Sequence, residues 1–415
     1  MNTEYEILYG YVMNSEADGV RDYYNFIDCM YCDDAIIPVI RQIGQNHSYG
    51  FVELNFREGY RDVNIYYTGE YAIIGFSTNA ETLNKDNYSN QVFNANTKGL
   101  YVLQFNNLKE LKYSVLIQAA YNIEKISLPA LKHISAPGKS TTNSYGIVTN
   151  CRNLKELNLP NLETIELERA FQGTIASNCP NLERVVCPKL KTIECIIASD
   201  YQVPLIGCNK LTSVSMPELT SVIMKGAYAY TFNLTNLTNL DLPKLEYFYT
   251  GGNVYESLIY NSTIEELSLP SLKEAHIDYR GYLIQYCNTL KRVYLPSLKK
   301  SPQVFSWYYP NWLRSCPNVE YVYLGCRGGV DDKIGFGADS TEFLTDVEIG
   351  EGTRQSIALF NINNLTRDNI VNHIFNKLAD NTDGAPLRIT IGSTNLARLS
   401  DEDKEIALNK NYTLA

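Results

Sequence analysis

The segment CRNLKELNLPNLETI, residues 151–165, decides the fold of this chain. Its leucine and isoleucine residues follow one another at spacings of 3, 2, 3 and 3 residues. These spacings match neither the 3.6-residue period of an α-helix nor the 2-residue period of a plain strand. Pro160 stands in the middle of the segment and lacks the N–H that a strand ladder needs. The pattern therefore predicts two short, inward-facing pieces on either side of a corner at Pro160.

The segment returns along the chain with the consensus C/N-x-x-L-x-x-L-x-L-P-x-L-x-x-I. Its marker prolines are separated by 26 to 31 residues, and self-similarity at a nearly constant period indicates a repeat architecture. Full copies occupy residues 179–193, 208–222, 234–248, 261–275 and 287–301, and weaker copies occupy residues 100–111, 123–134 and 316–326. The marker prolines are Pro129, Pro160, Pro188, Pro217, Pro243, Pro270 and Pro296.

One repeat copy predicts one turn of a solenoid. Leu157 and Leu159 alternate with polar residues, so this piece is expected to be a short strand with one buried face. Leu162 and Ile165 are expected to point inward again after the proline corner. A single turn cannot bury its apolar face, whereas turns stacked about 4.8 Å apart can. The sequence therefore predicts a β-strand-lined leucine-rich-repeat solenoid of about eight turns over residues 97–330.

The first repeat position is mostly cysteine. Small buried thiols at this corner are expected to be structural rather than metal-binding or redox-active. The N-terminal stretch MNTEYEILYGYVMNSEADGVR lacks the features of an export signal, so we expect folding in a cytoplasm, where thiols stay free. The column comprises Cys151, Cys179, Cys208, Cys287 and Cys316, with Leu234 and Asn261 expected at the same position in two copies.

Composition and motifs exclude several classes of function. The 415-residue chain carries a net charge of −10, which argues against a nucleic-acid partner. No window approaches 18 apolar residues, so no membrane insertion is predicted. Cys29 and Cys32 form a lone CxxC without a second pair or spaced histidines, and no HExxH, GxSxG, P-loop or Rossmann motif occurs. We therefore predict no catalytic residues, no metal site and no cofactor.

Residues 1–96 lack the repeat and are predicted to form an N-terminal docking or capping domain. The pattern indicates a helix over 33–45 and strands near 49–56, 62–68 and 71–76, which together make a small α+β or β-rich domain. An open solenoid exposes its apolar end turns, so a cap is expected at each end.

Residues 331–415 are predicted to form a small α/β capping domain. Strands are expected at 344–350 and 387–392. A helix over 366–380 is expected to begin at Thr366 as N-cap, with Ile370, Ile374 and Leu378 on one buried face. Ser400, Asp401 and Asp403 are expected to open a second helix that runs through Leu408 and closes at residues 409–411.

Aromatic residues carry the strongest indication of a binding surface, and tyrosine alone occurs 32 times. One set follows the marker prolines by 11 or 12 residues and is predicted to be a buried core column: Phe171, Tyr228, Tyr255, Tyr282 and Tyr308. Aromatic residues outside this column lie in variable connectors. Their rings offer a large contact area with a polar handle and suit the apolar faces of sugars. The candidate ligand-binding residues are Tyr249, Tyr279, Phe305, Trp307, Tyr309 and Trp312.

The repeat resembles the BspA-like (Treponema-type) leucine-rich repeat, whose units read roughly C-x-x-L-x-x-I-x-L-P-x-x-L-x-x-I-x-x-x-A-F. Ala170 and Phe171 match the final pair. This chain departs from the pattern by one residue fewer after the proline and by tyrosine-rich connectors in place of most Ala-Phe pairs. The final stretch, IGSTNLARLSDEDKEIALNKNYTLA, resembles the C-terminal module of leucine-rich repeat proteins encoded by gut Bacteroidetes and their phages. The resemblance implies an adhesin, a binding protein or a phage protein.

Two functions follow as hypotheses. In the first, the protein is a phage virion component (a tail, fibre or capsid-associated part) that is assembled in the bacterial cytoplasm and recognises host surface glycan or protein. Its other partners would be virion proteins or further copies of itself. In the second, it is a BspA-like adhesin on the bacterial cell surface. The N-terminus without an export signal and the expected free thiols favour the first hypothesis.

Deleting residues 1–96 tests whether this segment docks the protein while the repeats bind the ligand. If this segment docks the protein, the truncated chain should fail to assemble and should still bind its ligand. Particle incorporation and cell binding measure the two properties separately. Loss of ligand binding with normal assembly would reverse the assigned roles.

Overall fold

In the computed structural model, the repeat copies form coils of short parallel strands separated by sharp corners. The structure describes residues 64–68, 71–77, 82–83, 91–93, 102–104, 109–112, 115–118, 123–136, 147–167, 175–195, 205–225, 230–251, 256–277, 281–301, 312–339 and 343–415. The described chain is a β-solenoid of about nine turns with few helices. This confirms the solenoid predicted from the repeat, with about one turn more than expected.

The coils contribute strands of three kinds, named here by their position in the repeat. The pre-proline strands are β2 (Tyr71–Ser77), β5 (Val102–Gln104), β8 (Lys125–Ser127), β11 (Glu156–Asn158), β14 (Arg184–Val186), β17 (Ser213–Ser215), β20 (Asn239–Asp241), β23 (Glu266–Ser268), β26 (Arg292–Leu295), β28 (Tyr321–Leu324) and β30 (Asp346–Ile349). The post-proline strands are β3 (Thr82–Leu83), β6 (Glu110–Lys112), β9 (His133–Ala136), β12 (Thr164–Leu167), β15 (Thr192–Cys195), β18 (Ser221–Met224), β21 (Tyr247–Thr250) and β24 (Glu274–Ile277).

The pre-cysteine strands end just before the cysteine position of the next copy. The same ladder continues into the C-terminal region, and its strands there are given the same name. They are β4 (Gln91–Phe93), β7 (Val115–Gln118), β10 (Val148–Thr149), β13 (Ala176–Ser177), β16 (Leu205–Ile206), β19 (Tyr230–Asn233), β22 (Glu256–Tyr260), β25 (Gly281–Gln285), β27 (Leu313–Arg314), β29 (Lys333–Asp339), β31 (Ser356–Phe360), β32 (Leu387–Thr390) and β33 (Tyr412–Leu414). The remaining strand, β1 (Asn64–Thr68), pairs antiparallel with β2.

The described residues divide into two units. Unit 1 contains the residues up to 190 together with 205–215, and unit 2 contains 191–195 together with 216–415. Within unit 1, Leu157 pairs with Ile126 on one side and with Val185 on the other. Equivalent repeat positions therefore stack directly on one another, and each unit is built from parallel ladders in constant register.

The inward positions of the repeat form the core. Leu154, Leu157, Leu159, Leu162 and Ile165 are all fully buried. Pro160 ends β11, and the N–H of Leu162 donates to the carbonyl of Leu159 to close the corner. The opening segment is therefore a strand, a corner and a return, as its spacing predicts.

A second corner precedes the cysteine column and uses left-handed backbone. Asn and Gly adopt positive φ at the lowest steric cost, which explains why the residue before the column is often one of them. These residues are Asn150 (φ 55°), Asn178 (φ 50°), Gly207 (φ 65°), Asn261 (φ 52°), Tyr286 (φ 56°) and Ser315 (φ 51°).

The left-handed corner corrects the expectation for Asn261. That residue occupies the left-handed position, and Ser262 occupies the column, because this copy has one residue fewer between its corner and the first inward side chain, Ile264. The Ser262 hydroxyl donates to the carbonyl of Tyr260 at 3.4 Å. The Cys151 thiol makes the corresponding contact with the carbonyl of Thr149 at 3.5 Å.

The parallel ladders extend beyond both ends of the 97–330 range. β2 pairs with β5 and β3 with β6 before residue 97, and β28 pairs with β30 after residue 330. A truncation that removes only a docking segment therefore ends before Tyr71. The expected strands at 62–68 and 71–76 correspond to β1 and β2, whereas the expected helix at 33–45 and strand at 49–56 lie outside the described residues.

The C-terminal region of unit 2 carries the helices of the described chain. The element expected over 366–380 is a short α-helix, α1 (Arg367–Asn369), followed by a π-helical turn (Ile370–Ile374) and a 3-10 turn (Phe375–Lys377). The predicted N-cap is confirmed, because the Thr366 side chain accepts from the N–H of Asn369. Ile370, Ile374 and Leu378 are buried, as predicted.

Two further helices follow in the described chain, α2 (Ser393–Leu396) and α3 (Asp401–Leu408). Ser400 and Asp403 form a capping box at the start of α3. The Asp403 carboxylate also accepts two hydrogen bonds from Arg367, at 2.8 and 2.6 Å. No helix in the described part of the chain has the length and apolarity that crossing a membrane requires.

Gly325 and Gly350 stand in the last coils at the position of the marker proline. The close packing at the Gly325 corner can be tested by substitution. A Cβ on Gly325 would overlap the carbonyl of Pro296 in the coil beside it. Gly325→Ala should therefore lower the free energy of unfolding by about 1–3 kcal/mol through overpacking. Gly329→Ala is the matched control, because its Cβ would have no neighbour closer than 4.0 Å. Urea denaturation measures both, and equal stability of the two variants would contradict the close approach.

Candidate functional site

The outward face of the post-proline strands in unit 2 carries rings and charges. On β21, Phe248 and Thr250 point into the core, while Tyr247 and Tyr249 point outward and are half-buried. On β24, Ala275 is buried, and Glu274 and His276 point outward. This alternation follows from the two-residue period of a strand. Tyr247 pairs with Glu274 and Tyr249 with His276, so the four outward side chains are neighbours. We call Tyr247, Tyr249, Glu274 and His276 the Tyr249 platform.

The ring of Tyr249 packs against Gly251. A Cβ on Gly251 would overlap Cε1, Cζ and Oη of that ring, so glycine is required for this contact. The N–H of Gly251 donates to Glu256 Oε2 at 2.8 Å and to the carbonyl of Met224 at 3.0 Å, which fixes the backbone beneath the ring. The Cε1–Oη edge of the Tyr249 ring therefore lies close to the main chain at Gly251.

Two more rings and a cation surround the Tyr249 ring. The His276 ring centroid lies 5.3 Å from that of Tyr247 and 5.9 Å from that of Tyr249. Lys225 follows β18 on the other side of β21, and its Nζ lies over the Tyr249 ring, 5.6 Å from the centroid. This cation–π contact places a positive charge beside the Tyr249 ring.

Glu274 is paired on both sides. One carboxylate oxygen lies 3.1 Å from Lys300 Nζ, and the other lies 3.4 Å from His276 Nε2. Partial burial opposes ionisation of Glu274, but the hydrogen bonds from Lys300 and His276 outweigh it and lower the pKa of the carboxyl group. The same contact with Glu274 raises the pKa of Lys300. Desolvation raises the pKa of Tyr247. At neutral pH, the platform therefore presents a fixed carboxylate and a neutral phenol.

A second aromatic group lies on the pre-cysteine strands of unit 2. Tyr230 and Tyr260 are stacked at 4.2 Å between centroids, and Tyr260 meets the edge of Tyr286 at 5.4 Å. Arg314 lies over Tyr282 and Tyr286 and donates from Nη1 to the Tyr282 hydroxyl at 3.2 Å. Tyr230 and Tyr282 are buried, whereas Tyr286 is exposed.

Sequence reasoning missed Tyr260 and Tyr286, although a signal was present. Tyr286 directly precedes Cys287, and Tyr260 directly precedes the left-handed residue Asn261. Both therefore follow the repeat rather than a variable connector, and the neighbouring coils bring them together.

A third aromatic contact lies on the pre-proline strands of unit 2. Tyr294 and Tyr321 lie 5.6 Å apart between centroids, and the Tyr321 hydroxyl donates to Glu348 at 2.6 Å. Desolvation, followed by the contact with Glu348, raises the pKa of Tyr321. The nearby outward residue Tyr323 lies on the same strand, β28, and offers a control position away from the Tyr249 platform.

The predicted binding residues differ in where they lie. Tyr249 lies on the outward platform. Trp312 is fully buried, with its ring 5.4 Å from Phe336, so the expectation that it is a surface residue is wrong. Trp312 directly precedes β27, and its backbone N–H donates to the carbonyl of Gly337, which fixes the residue in the ladder. Tyr279, Phe305, Trp307 and Tyr309 lie outside the described residues.

The structure describes one residue of the expected core column, Tyr282. Tyr282 is buried, as predicted for this column. The other members, Phe171, Tyr228, Tyr255 and Tyr308, lie outside the described residues.

The cysteine column is structural in its contacts. Cys151, Cys179, Cys287 and Cys316 are buried, and each thiol donates to the carbonyl two residues earlier at 3.3 to 3.5 Å. Outside the column, burial raises the pKa of the Cys187 thiol to about 12. Within the described residues, no group of three or more His, Cys, Asp or Glu side chains is arranged to bind a metal ion.

No protein-family model matches the chain, and no curated protein matches it either. Similar solved structures include a leucine-rich repeat protein from Bacteroides ovatus ATCC 8483, with 12% identity over 86% of this chain and 98% of that chain and a TM-score of 0.18. They also include the pneumococcal vaccine antigen PcpA, with 11% identity over 90% of this chain and 97% of that chain and a TM-score of 0.23.

Thiol reactivity tests the cysteine geometry. Seven cysteines are free and buried: Cys151, Cys179, Cys187, Cys208, Cys287, Cys316 and Cys326. Because burial keeps the reagent away from the thiols, they should stay unmodified by Ellman's reagent in the native protein and react fully in denaturant. Val330→Cys is the control, because Val330 is 46% exposed and a thiol there should react at once. Mass spectrometry assigns each modified site, and fast native labelling of any of the seven would contradict the buried column.

Proposed function

We propose that this protein is a non-enzymatic binding protein that recognises a glycan on a host surface through the Tyr249 platform. The observation that carries the proposal is the outward, half-buried cluster of Tyr247, Tyr249, Glu274 and His276, in which the Tyr249 ring packs against Gly251. A flat ring face offers a large apolar contact area at low conformational cost. Glu274 and His276 lie beside it and supply polar groups for hydroxyls. Among the described residues, this arrangement fits the stacking of a sugar better than any reaction.

The biological setting forms the second part of the proposal. We place the protein in a phage virion, as a tail, fibre or capsid-associated component that is assembled in the bacterial cytoplasm. The seven buried free thiols support assembly in a reducing compartment. The C-terminal resemblance to modules of gut Bacteroidetes and their phages supports the same setting. The other candidate is a BspA-like adhesin on the bacterial cell surface, which the resemblance of the repeat supports.

Immunogold electron microscopy separates the two settings. Gold particles should label purified phage particles from an induced culture and should leave the surface of uninduced cells unlabelled. Label on intact, uninduced cells without label on particles would replace the virion setting with the adhesin setting. A knockout strain without the gene controls for antibody specificity.

The binding role predicts a specific loss in one tyrosine variant. Tyr249→Ala removes the flat ring and should weaken binding of the full-length protein to host cells by at least about tenfold, which corresponds to about 1.4 kcal/mol. Tyr323→Ala is the matched control, because it removes an outward tyrosine from a pre-proline strand. Flow cytometry with labelled protein measures both, and thermal melting checks that each variant is folded. Unchanged binding by a folded Tyr249→Ala variant would refute the role of the platform.

A further inference from the structure

We propose that the cysteine column holds two sites of oxidation by peroxide, at which a disulfide joins neighbouring coils. One site is the stack of Cys151, Cys179 and Cys208 in unit 1, and the other is the pair Cys287 and Cys316 in unit 2. The inference goes beyond the proposed function, because it involves neither a ligand nor the Tyr249 platform. It starts from the register of the coils, which places the thiols above one another.

The strand pairing brings the column residues of neighbouring coils together. Thr149 pairs with Ser177, and Ser177 pairs with Ile206, two residues before the three cysteines of unit 1. The N–H of Asn150 donates to the carbonyl of Ser177 at 2.9 Å, so the register continues into the corner. Neighbouring strands lie about 4.8 Å apart, which is within the Cα–Cα range of about 4.4–6.8 Å that a disulfide spans.

The thiols of each site contact one another across the coils. The Cys179 sulfur lies within hydrogen-bonding reach of the Cys151 and Cys208 sulfurs. In unit 2, the Cys287 and Cys316 sulfurs make the same contact. All five side chains are at most 1% exposed, so each sulfur is held against its neighbour by the surrounding core. Only a small movement is therefore needed to bring two sulfurs to bonding distance.

The geometry decides which pairs can form. Cys151 and Cys208 are two coils apart, at about 10 Å, which is beyond the reach of a disulfide. Every disulfide in the unit 1 stack therefore includes Cys179. Hydrogen bonds from the Cys151 and Cys208 thiols also lower the pKa of the Cys179 thiol against the opposing effect of burial. Because the thiolate is the reactive form, this favours Cys179 as the sulfur that is oxidised first.

Hydrogen peroxide is the oxidant, because its size is close to that of water, whereas Ellman's reagent is too large to reach the buried sulfurs. The first sulfur attacks one peroxide oxygen, the O–O bond breaks, and a sulfenic acid and one water are formed. The neighbouring sulfur then attacks the sulfenic sulfur, so that an S–S bond forms, the S–O bond breaks and a second water leaves. Each disulfide thus consumes one peroxide and oxidises two thiols.

The surroundings of the protein decide when the reaction occurs. In a reducing cytoplasm the five thiols stay reduced, and the column has the structural role expected from its sequence. Outside the cytoplasm, where peroxide meets no reductant, the disulfides form and fasten each coil to the next. A cross-link of this kind constrains the unfolded chain, so the oxidised protein is expected to be the more stable form.

Peptide mapping of the full-length protein tests the two sites. The protein is treated with hydrogen peroxide, alkylated in denaturant and digested without reduction, and mass spectrometry identifies the cross-linked peptides. The expected products are Cys179 joined to Cys151 or to Cys208, and Cys287 joined to Cys316. The urea midpoint should rise on oxidation and return to its initial value after dithiothreitol. Unmodified thiols or sulfinic acids in place of the disulfides would overturn the inference.

Alanine variants separate stacking from general reactivity. Cys179→Ala should abolish the unit 1 disulfide, whereas Cys151→Ala should leave the link between Cys179 and Cys208. Cys187→Ala is the matched control, because Cys187 is equally buried and lies outside the column, and it should keep both disulfides. A link between Cys151 and Cys208 would contradict the stacking. Thermal melting checks that each variant is folded, and the map of the unsubstituted protein decides the inference where a variant is not.

Discussion

A single coil of this protein cannot bury its own apolar interior, so the structure depends on coils that stack in register. Leu157 is buried because Ile126 and Val185 lie above and below it in the same ladder. The same constraint acts on the corners, where a proline or glycine ends the first strand and a left-handed residue ends the third. Since the side chains of a strand alternate, a register that buries Phe248 also directs Tyr249 outward. The surface of the solenoid is therefore a direct consequence of its core.

Much of this fold is readable from the sequence, because two of the three strands in a coil carry a strong pattern. Leu157 and Leu159 alternate before Pro160, and Leu162 and Ile165 return after it. Local capping is also readable, since Thr366 and Ser400 make the side-chain contacts expected of them. These predictions succeed because they depend on residues that are close in the chain.

The third strand of each coil is not readable in the same way. Thr149, Ser177 and Gln285 are polar and fully buried, so the pre-cysteine strands show no apolar alternation. The variable connectors before them also hide their period. The residue before each cysteine was the usable signal, because Asn150 and Asn178 stand where a left-handed backbone is needed. The same signal would have placed Ser262, rather than Asn261, in the column.

The candidate site was predicted only in part, because it depends on contacts between coils. Tyr249 was identified as an aromatic residue outside the core column, yet its conformation depends on Gly251 and its neighbour is His276, 27 residues further along the chain. Trp312 looked equivalent in sequence, and its position before β27 buries it. An aromatic residue becomes a binding residue here only through the register of its strand, which composition does not reveal.

The rate of disulfide formation between introduced cysteines tests the register most directly. Tyr249→Cys and His276→Cys would face each other on adjacent strands about 4.8 Å apart, within the range that a disulfide bridges. Tyr249→Cys with Glu274→Cys is offset by two residues, at about 8 Å, and is the matched control. Cys29, Cys32 and Cys195, whose side chains lie outside the described set, are replaced by serine in both chains. The account predicts that the first pair forms its disulfide rapidly and the second pair slowly. Faster disulfide formation by the second pair, or a Tyr249→Cys thiol that is buried and unreactive, would contradict the register on which the site depends.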